Sequence, residues 1–313
     1  DLNGQYARRV SRTFPAGDPV VRRRSAIIRR VSVERTMSPD PEPGPEYFEA
    51  NLAYWQAAVP AHRRSEFYGI DEWIAEGAPP RPWEQAVLGD VAGLDLVHLQ
   101  CHFGKDSLGW ANAGARVVGV DFSPAAIDQA EELAERLGLS SRASFVVANV
   151  YEVPELLEPS SADLVYVSLG ALMWLPSIDR WASVVAHLLR PGGRLFLHEV
   201  HPLGLIIDRS QDGWLLKGSY FETRDPMIET SEGSYTDGAE SVGTYTTYAW
   251  NHSLSEVISA LLRHGLALTH LEEHPWTSFA RFPEMRGENE RFETPADWVP
   301  MPLSYTLVAI RTS

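Results

Sequence analysis

Short apolar runs alternate with amphipathic segments between residues 94 and 200. Strands are predicted at 96–99, 116–120, 144–148, 163–167 and 194–200. The helix after the second strand is the clearest, because Ser123 can cap it, Pro124 suits its first turn and Gly138 can end it. Strands and helices that alternate in this way predict an α/β fold with a parallel sheet.

The alternation stops after His201 and resumes about fifty residues later. Ser253 and Glu256 have the spacing of a capping box and predict the start of a helix. Strands are then predicted at 266–271 and 303–310, and we expect these last strands to form a hairpin. The complete pattern predicts a doubly wound, Rossmann-like sheet, with the interruption at about 203–250 as a lid insertion after the fifth strand.

The N-terminal region differs in charge from the rest of the chain. Residues 1–37 hold nine arginines and three acidic residues, which gives them a net charge of +6. Because the whole chain has a net charge of −15, the remaining residues carry −21. A proline-rich linker follows from Met37 to Pro45, and 1–45 is predicted as a basic leader and linker. The leader is interpreted either as a basic arm or transit-like segment, or as an extension upstream of a start at Met37. We favour the extension, because like-charged blocks of low hydrophobicity rarely build a core.

A small helical cap is predicted between the linker and the first strand. Aromatic residues recur at helical intervals over 46–59, and Pro60 is predicted to end this helix. Further short helices are predicted around 65–76 and 82–89. Residues 46–90 are therefore predicted as an N-terminal helical cap, and 91–313 as the ligand-binding domain that carries the lid.

Composition narrows the classes of function. The 313 residues, of which 44% are apolar, favour one elaborated domain or one domain with a cap. No apolar stretch approaches the roughly 18–20 residues that span a bilayer, so we expect a cytoplasmic protein without membrane association. The single cysteine, Cys101, excludes an internal disulfide and a cysteine-based zinc cage. A net charge of −15 argues against nucleic acid as a partner.

The loop after the first strand is the first place to look for a ligand, because open α/β sheets bind ligands beyond the carboxyl ends of their strands. Only Gly104 remains of the glycines that a dinucleotide fingerprint needs, and Gln100 and His102 would obstruct a pyrophosphate. NAD and FAD are therefore disfavoured, whereas a nucleoside without a pyrophosphate is allowed.

Three further residues at strand ends fit a nucleoside. Asp121 has the position from which a carboxylate accepts hydrogen bonds from ribose hydroxyls, although such an acid can also serve as a helix N-terminal charge. Phe122 offers an apolar face for adenine. Asn149 could bind the amine of the base, or could be an ordinary turn residue.

Five ordered motifs carry a resemblance to a known family. They are His98-Leu-Gln-Cys-His-Phe-Gly104 with Asp106, 119–124, 163–166, 170–176 and 189–193. The chain resembles a branch of the class I S-adenosylmethionine-dependent methyltransferases. The resemblance implies a seven-stranded sheet with an antiparallel last strand, and S-adenosylmethionine as cofactor across the ends of the first, second and fourth strands. It also extends to the cap, the lid and the last strand.

The sequence departs from the common motif pattern of the wider superfamily. His98, Gln100 and His102 replace an acid and two glycines of the first loop, and Asn149 stands where aspartate is common. Backbone carbonyls near Gln100 and Ser168 are the candidates to hold the methionine amine. The predicted cofactor residues are Gln100, His102, Gly104, Asp121, Phe122, Asn149, Val150 and Ser168.

Candidate catalytic groups follow the fifth strand. Glu199 and His201 are expected to point into the cleft mouth, as a general base or merely as the end of a strand. His252 could bind substrate or cap a helix. The histidines lack the paired spacing of a metal site, so no metal is predicted. His62, His187, His264 and His270 are expected to be surface or core residues.

Aromatic residues of the cap, the lid and the fourth-strand loop could line the cleft. Trp55, Tyr68, Trp174 and Trp250 are the predicted substrate residues, although such density can also be ordinary packing. They favour a planar or apolar acceptor and could stabilise a sulfonium by cation–π contact.

The resemblance therefore implies a methyltransferase, and the aromatic residues favour a small aromatic or heterocyclic acceptor. Two lysines against 25 arginines are typical of GC-rich bacterial genomes, and bacterial specialised metabolism is the expected setting. The alternative is a catalytically silent S-adenosylmethionine- or nucleoside-binding regulator or scaffold. The sequence does not specify the acceptor atom, and a homo-oligomer is possible.

Overall fold

The computed structural model describes residues 44–210, 213–237, 242–288 and 290–312. The predicted leader and most of the linker, up to residue 43, lie outside the described residues. The helices are α1 Pro45–Arg64, α2 Ile70–Ala75, α3 Pro82–Leu88, α4 Lys105–Asn112, α5 Pro124–Leu137, α6 Val153–Leu156, α7 Ile178–Leu188, α8 Pro202–Ile206 and α9 Leu254–Arg263. The strands are β1 Asp95–Leu99, β2 Arg116–Asp121, β3 Ala143–Val147, β4 Ala162–Val167, β5 Leu189–Val200, β6 Ile207–Ser210, β7 Gly213–Leu216, β8 Met227–Glu232, β9 Thr244–Ala249, β10 Leu266–His274, β11 Trp276–Thr277, β12 Arg286–Glu288, β13 Arg291–Glu293 and β14 Ser304–Arg311.

Seven of these strands form one sheet in the order β10-β14-β5-β4-β1-β2-β3. Strands β1 to β5 pair in parallel, while β14 runs antiparallel to both β5 and β10. The central strand β1 sets Leu96 opposite Val117 of β2 and Leu164 of β4. The predicted Rossmann-like sheet with an antiparallel last strand is confirmed.

Apolar side chains fill both faces of the sheet. On one face, Trp181 of α7 and Leu261 of α9 pack with Val165 and Leu197. On the other, Trp110 of α4 and Leu133 of α5 pack with Leu96, Tyr166 and Phe196. The core therefore lies in two layers between helices and sheet, and it holds the carboxyl ends of the parallel strands in fixed positions.

Helix α1 is longer than the sequence predicts. It continues through Pro60 to Arg64, and the hydroxyl of the next residue, Ser65, donates to the backbone carbonyl of His62 at 2.7 Å. A proline inside a helix removes one hydrogen bond, a cost that tertiary packing can offset. Here Ala58 and Ala61, which flank Pro60, are buried against Val242 and Tyr245. The prediction that Pro60 ends the helix was wrong for this reason.

The region predicted as a lid contains two antiparallel hairpins among its described residues. Strand β6 pairs with β7, and β8 pairs with β9. The side chain of Asn51 in α1 forms two hydrogen bonds with the backbone of Tyr248 in β9, at 2.8 and 2.9 Å. The β8–β9 hairpin is thereby joined to the cap.

Candidate active site

A cleft of about 830 Å³, including its open mouth, lies at the carboxyl ends of the parallel strands. Seven of the eight predicted cofactor residues line it: Gln100, His102, Asp121, Phe122, Asn149, Val150 and Ser168. Three of the four predicted substrate residues also line it: Trp55, Tyr68 and Trp174. The cleft therefore brings together residues from the ends of β1 to β4 and from the cap.

The loop after β1 adopts the conformation that glycines would favour. Gln100 and His102 have φ angles of +58° and +51°, a left-handed region that side chains rarely occupy. Three hydrogen bonds hold this shape. They run from Cys101 N to Val120 O at 2.9 Å, from His102 N to Asp121 Oδ2 at 2.8 Å and from Gln100 Nε2 to Ala171 O at 2.8 Å. The loop thus keeps its turn without glycine at either position.

Gly104 does not line the cleft, contrary to its prediction as a cofactor residue. Its φ is +76°, and a Cβ at this position would lie 2.8 Å from Cβ of Ala130 and 2.9 Å from the ring of Phe145. Such distances are too short for a real Cβ contact. Gly104 therefore permits the close approach of α4 to α5 and β3.

The carboxylate of Asp121 lies at the end of β2 and lines the cleft. Oδ2 accepts the backbone N–H of His102, and Oδ1 accepts that of Ser123 at 2.9 Å. Burial raises the pKa of Asp121 to about 6, although these backbone donors oppose the increase. Each carboxylate oxygen can accept a second hydrogen bond, so the group retains capacity for ligand hydroxyls.

Asn149 both caps a helical turn and faces the cleft. Its Oδ1 accepts the backbone N–H of Tyr151 at 3.1 Å, and Glu152 accepts the backbone N–H of Asn149 at 3.2 Å. This capping box fixes the 3₁₀ turn Val150–Glu152. Within the described ranges, no hydrogen bond involves the Asn149 side-chain amide as donor, so it can donate to a ligand.

The partly buried carboxylate of Asp106 lies one hydrogen bond from the cleft residue Ser168. The Ser168 hydroxyl donates to Oδ2 of Asp106 at 2.8 Å, and Arg81 contacts the same oxygen at 2.9 Å. Burial favours a higher pKa for Asp106, but Arg81, together with His98 and Lys105, outweighs it, and the pKa falls to about 2. Asp106 is therefore ionised beside the Ser168 hydroxyl, where it also forms an ion pair with Arg81. The sequence motif included Asp106 but gave no reason to assign it this place.

A chain of polar side chains runs from the cleft into the cap. His102 Nε2 lies 3.4 Å from His62 Nδ1, His62 Nε2 lies 2.7 Å from Ser234 Oγ, and Ser234 Oγ lies 2.7 Å from the Tyr54 hydroxyl. Burial lowers the pKa of His62 to about 4. Burial and the neighbouring His62 lower the pKa of His102 well below its usual value. Both rings are therefore neutral at neutral pH.

Aromatic rings form the wall of the cleft around this chain. The ring of Trp55 lies 5.3 Å from those of His102 and Trp174, in edge-to-face arrangements. Tyr235 also lines the cleft, and its hydroxyl lies 2.5 Å from that of Tyr68. No sequence pattern marks Tyr235, which lies in an irregular polar segment, and for His62 the sequence predicts only a surface or core residue.

Glu199 does not point into the cleft. Its buried carboxylate accepts the backbone N–H groups of Gly170, Ala171, Leu172 and Val200 at 2.5–2.9 Å. Burial raises its pKa, and these donors partly oppose the shift. The expected position at the cleft mouth is corrected, because the side chain turns towards the loop after β4. Glu199 fixes that loop, whose residues 168–171 line the cleft.

The other catalytic predictions also lie away from the cleft. His201 Nδ1 accepts the backbone N–H of Leu203 at 3.1 Å and caps α8, while Nε2 lies 2.9 Å from Glu273. His252 contacts Glu256 at 2.9 Å and the carbonyl of Leu175 at 2.8 Å. The capping box predicted at Ser253 is therefore formed only by the serine, since Glu256 turns to His252.

Trp250, the fourth predicted substrate residue, is also placed elsewhere. It is 3% exposed, and its backbone N–H donates to Met173 O at 2.8 Å. With Glu199 and His252 it borders a separate cavity of about 240 Å³. These three residues lie on the side of the cleft wall that faces away from the cleft, and they help to hold the wall in place.

The described residues contain no group of three or more His, Cys, Asp or Glu side chains arranged to hold a metal ion. Their helices include none that combines the length and apolar character needed to cross a membrane.

Residues 97–193 match the protein family described as a methyltransferase domain. This segment contains most of β1, the strands β2 to β4, the start of β5 and most of the cleft residues. A curated relative is 27-O-demethylrifamycin SV methyltransferase of Amycolatopsis mediterranei (strain S699), 30% identical over 171 residues, or 51% of this chain and 60% of the relative. The matches span 31–60% of the length of the curated relatives.

Two solved structures share the fold along most of the chain. An S-adenosylmethionine-dependent methyltransferase from Mesorhizobium loti is 24% identical, with a TM-score of 0.51 over 74% of this chain and 96% of the other. A structure titled a putative S-adenosylmethionine-dependent methyltransferase from Listeria monocytogenes is 20% identical, with a TM-score of 0.50 over 76% of this chain and 100% of the other. At these identities the likeness shows the fold.

Proposed function

We propose that the protein is a methyltransferase that moves a methyl group from S-adenosylmethionine to a small aromatic or heterocyclic acceptor. The observation that carries the proposal is the cleft itself. It lies at the carboxyl ends of β1, β2 and β4, has the Asp121 carboxylate in its lining and continues into an aromatic wall. The family match over 97–193 and the shared fold support the same activity.

The cleft lining provides a distinct partner for each part of the methyl donor. Asp121 would accept hydrogen bonds from the ribose hydroxyls, and Phe122 and Val150 would enclose adenine. The free amide of Asn149 would contact the edge of the base. Ser168, with the Asp106 carboxylate behind it, and the backbone near Gln100 would hold the methionine amine. These groups of the cleft lining thus fit a ligand in which a nucleoside is joined to an amino acid.

The sulfonium of S-adenosylmethionine supplies an activated methyl group. The protein's task is to hold the acceptor atom in line with it and to exclude water. Trp55, Trp174 and Tyr68 provide flat apolar surfaces for a planar acceptor, and their ring faces favour a nearby positive charge. Bacterial specialised metabolism is the setting that we propose for this reaction.

Calorimetric titration with S-adenosylhomocysteine, beside NAD, tests the cofactor without knowledge of the acceptor. We expect micromolar binding of S-adenosylhomocysteine and no binding of NAD. Incubation with methyl-labelled S-adenosylmethionine and a panel of phenols, indoles and heterocyclic amines then tests transfer. Cofactor binding without label on any acceptor would favour the silent regulator or scaffold, and absence of cofactor binding would contradict both functions.

A further inference from the structure

The ring of His102 is placed between the cleft and a buried hydrogen-bond chain. His102 lines the cleft, and its Nε2 faces His62 Nδ1. In the described parts of the chain, no hydrogen bond involves His102 Nδ1. One ring nitrogen is therefore oriented by the protein, while the other is available to a ligand.

We propose that His102 is the general base that removes a proton from the methyl acceptor, and that His62 is the positioning residue that fixes its tautomer. The inference rests on the proposed methyl transfer. The acceptor would be a planar molecule with an acidic O–H or N–H. Its lone pair forms a bond to the methyl carbon, the carbon–sulfur bond breaks with its electron pair going to sulfur, and the acceptor proton goes to His102 Nδ1.

The hydrogen-bond chain can select the tautomer that this role needs. When His102 carries its proton on Nε2 and donates to His62 Nδ1, His62 donates from Nε2 to Ser234, and Ser234 donates to Tyr54. His102 Nδ1 is then an acceptor towards the cleft. After His102 Nδ1 gains a proton, the Nε2 proton can shift to His62 Nδ1, so that the two rings share the charge. The chain therefore prepares the base and lets a second ring share the proton that it accepts.

The charges near His102 suit a proton transfer that accompanies methyl transfer. Neutral His62 and Tyr68 lie against its ring, Asp121 binds its backbone amide, and Asp106 is the nearby anion that favours a protonated ring. The reaction removes the positive charge of the sulfonium while a positive charge develops on His102. The net charge of the cleft is thus unchanged, so burial does not oppose the step as it opposes protonation of the free site.

The surrounding rings define where the acceptor would lie. Trp55 and Tyr68 have ring centroids 5.3 and 5.6 Å from that of His102. Trp174 meets Trp55 edge to face on the cleft side. A planar acceptor in the cleft, packed against the exposed sides of these rings, would bring an O–H or N–H at its edge within reach of His102 Nδ1.

The probe for this inference is 4-nitrophenol, bound to the complex with S-adenosylhomocysteine at a pH below its solution pKa. The yellow absorbance of its phenolate reports ionisation of the bound phenol, and the comparison with a variant identifies the group that favours it. We expect His102→Gln to lower the ratio of bound phenolate to bound phenol by about tenfold or more. His270→Gln, on the edge strand β10, is the matched control and should leave the ratio unchanged.

Variants of His62 separate its positioning role from packing. His62→Phe keeps a ring but removes the acceptor for His102 Nε2–H, and it should lower the phenolate ratio. His62→Gln can restore that acceptor and should recover part of the effect. Nitrogen-15 spectra of the histidine rings in the unmodified protein provide a measurement that does not depend on variant folding, and should show His102 protonated on Nε2.

The outcomes distinguish this inference from the proposed function. If the unmodified protein does not bind S-adenosylhomocysteine, the proposed methyltransferase function is contradicted. Three other results would overturn only the base assignment, provided that cofactor binding is normal. They are the absence of 4-nitrophenol binding, equal phenolate ratios in the parent and His102→Gln, and protonation of His102 on Nδ1.

Discussion

The carboxylate of Asp121 accepts the backbone N–H of His102 at 2.8 Å, which ties the end of β2 to the loop after β1. His102 holds a left-handed backbone conformation at this point. A strained conformation of this kind persists only when its surroundings fix it. The contact therefore links two strand ends that both line the cleft, and it gives Asp121 a structural role beside any contact with a ligand.

Asp121→Asn should weaken binding of S-adenosylhomocysteine by about tenfold to a hundredfold. The amide cannot accept hydrogen bonds at both ends, so it loses either a ribose hydroxyl or one of its two backbone donors. Isothermal calorimetry at neutral pH measures the change. Asp128→Asn, an exposed position on α5, is the control and should bind as the parent does. Equal affinity of both variants would contradict the placement of the ribose at Asp121.

Cofactor affinity should also fall as the pH decreases below about 6. The pKa of Asp121 is raised to about 6, so its carboxylate is charged above this pH and becomes protonated below it. Affinity should then decrease towards about tenfold per pH unit, because each binding event requires loss of one proton. The pKa values of His62 and His98 are lowered to about 4 by burial, so these rings do not titrate in this interval.

The same titration on Asp121→Asn supplies the control. Its affinity should be nearly independent of pH between about 5 and 7, since the titrating group has been removed. A parallel decrease in the parent and the variant would assign the pH effect to another group.

The sequence predicted the sheet well because each strand has a local signal. Apolar runs, Ser123 as a cap and Gly138 as a stop do not depend on distant contacts. Pro60 was the exception, since the buried contacts beyond it decide whether the helix continues. The local sequence pattern was therefore sufficient to predict elements whose start and stop signals lie within their own sequence.

The site was predicted less completely, for two physical reasons. Strand-end position identified Asp121 and Asn149, because topology alone carries these residues to the cleft edge. Position could not give side-chain direction, and Glu199 turns back to four backbone donors. Contacts distant in sequence, such as His62 with Ser234, leave no pattern along the chain.

Glu199→Gln should destabilise the fold more than it affects a chemical step. The amide can accept at only one end, so buried backbone N–H groups in the loop after β4 would lose their partner. We expect a loss of about 2–4 kcal/mol in the free energy of unfolding, measured by urea denaturation. Glu284→Gln, at an exposed position, is the control and should stay within about 0.5 kcal/mol of the parent. Parent-like stability with strongly reduced methyl transfer would instead favour a general base at Glu199.

Asn51→Ala should loosen the attachment of the β8–β9 hairpin to the cap. The substitution removes both hydrogen bonds between the Asn51 side chain and the backbone of Tyr248. Two such bonds contribute about 1–3 kcal/mol, so exchange of the Tyr248 amide proton should accelerate by roughly 5- to 160-fold. Hydrogen–deuterium exchange followed by NMR measures this rate. Asn112→Ala removes hydrogen bonds to Gly77 and Ala78 instead and should leave Tyr248 unchanged. Because Tyr235 reaches the cleft from the segment that joins these two strands, slow exchange in Asn51→Ala would mean that contacts other than Asn51 hold this wall in place.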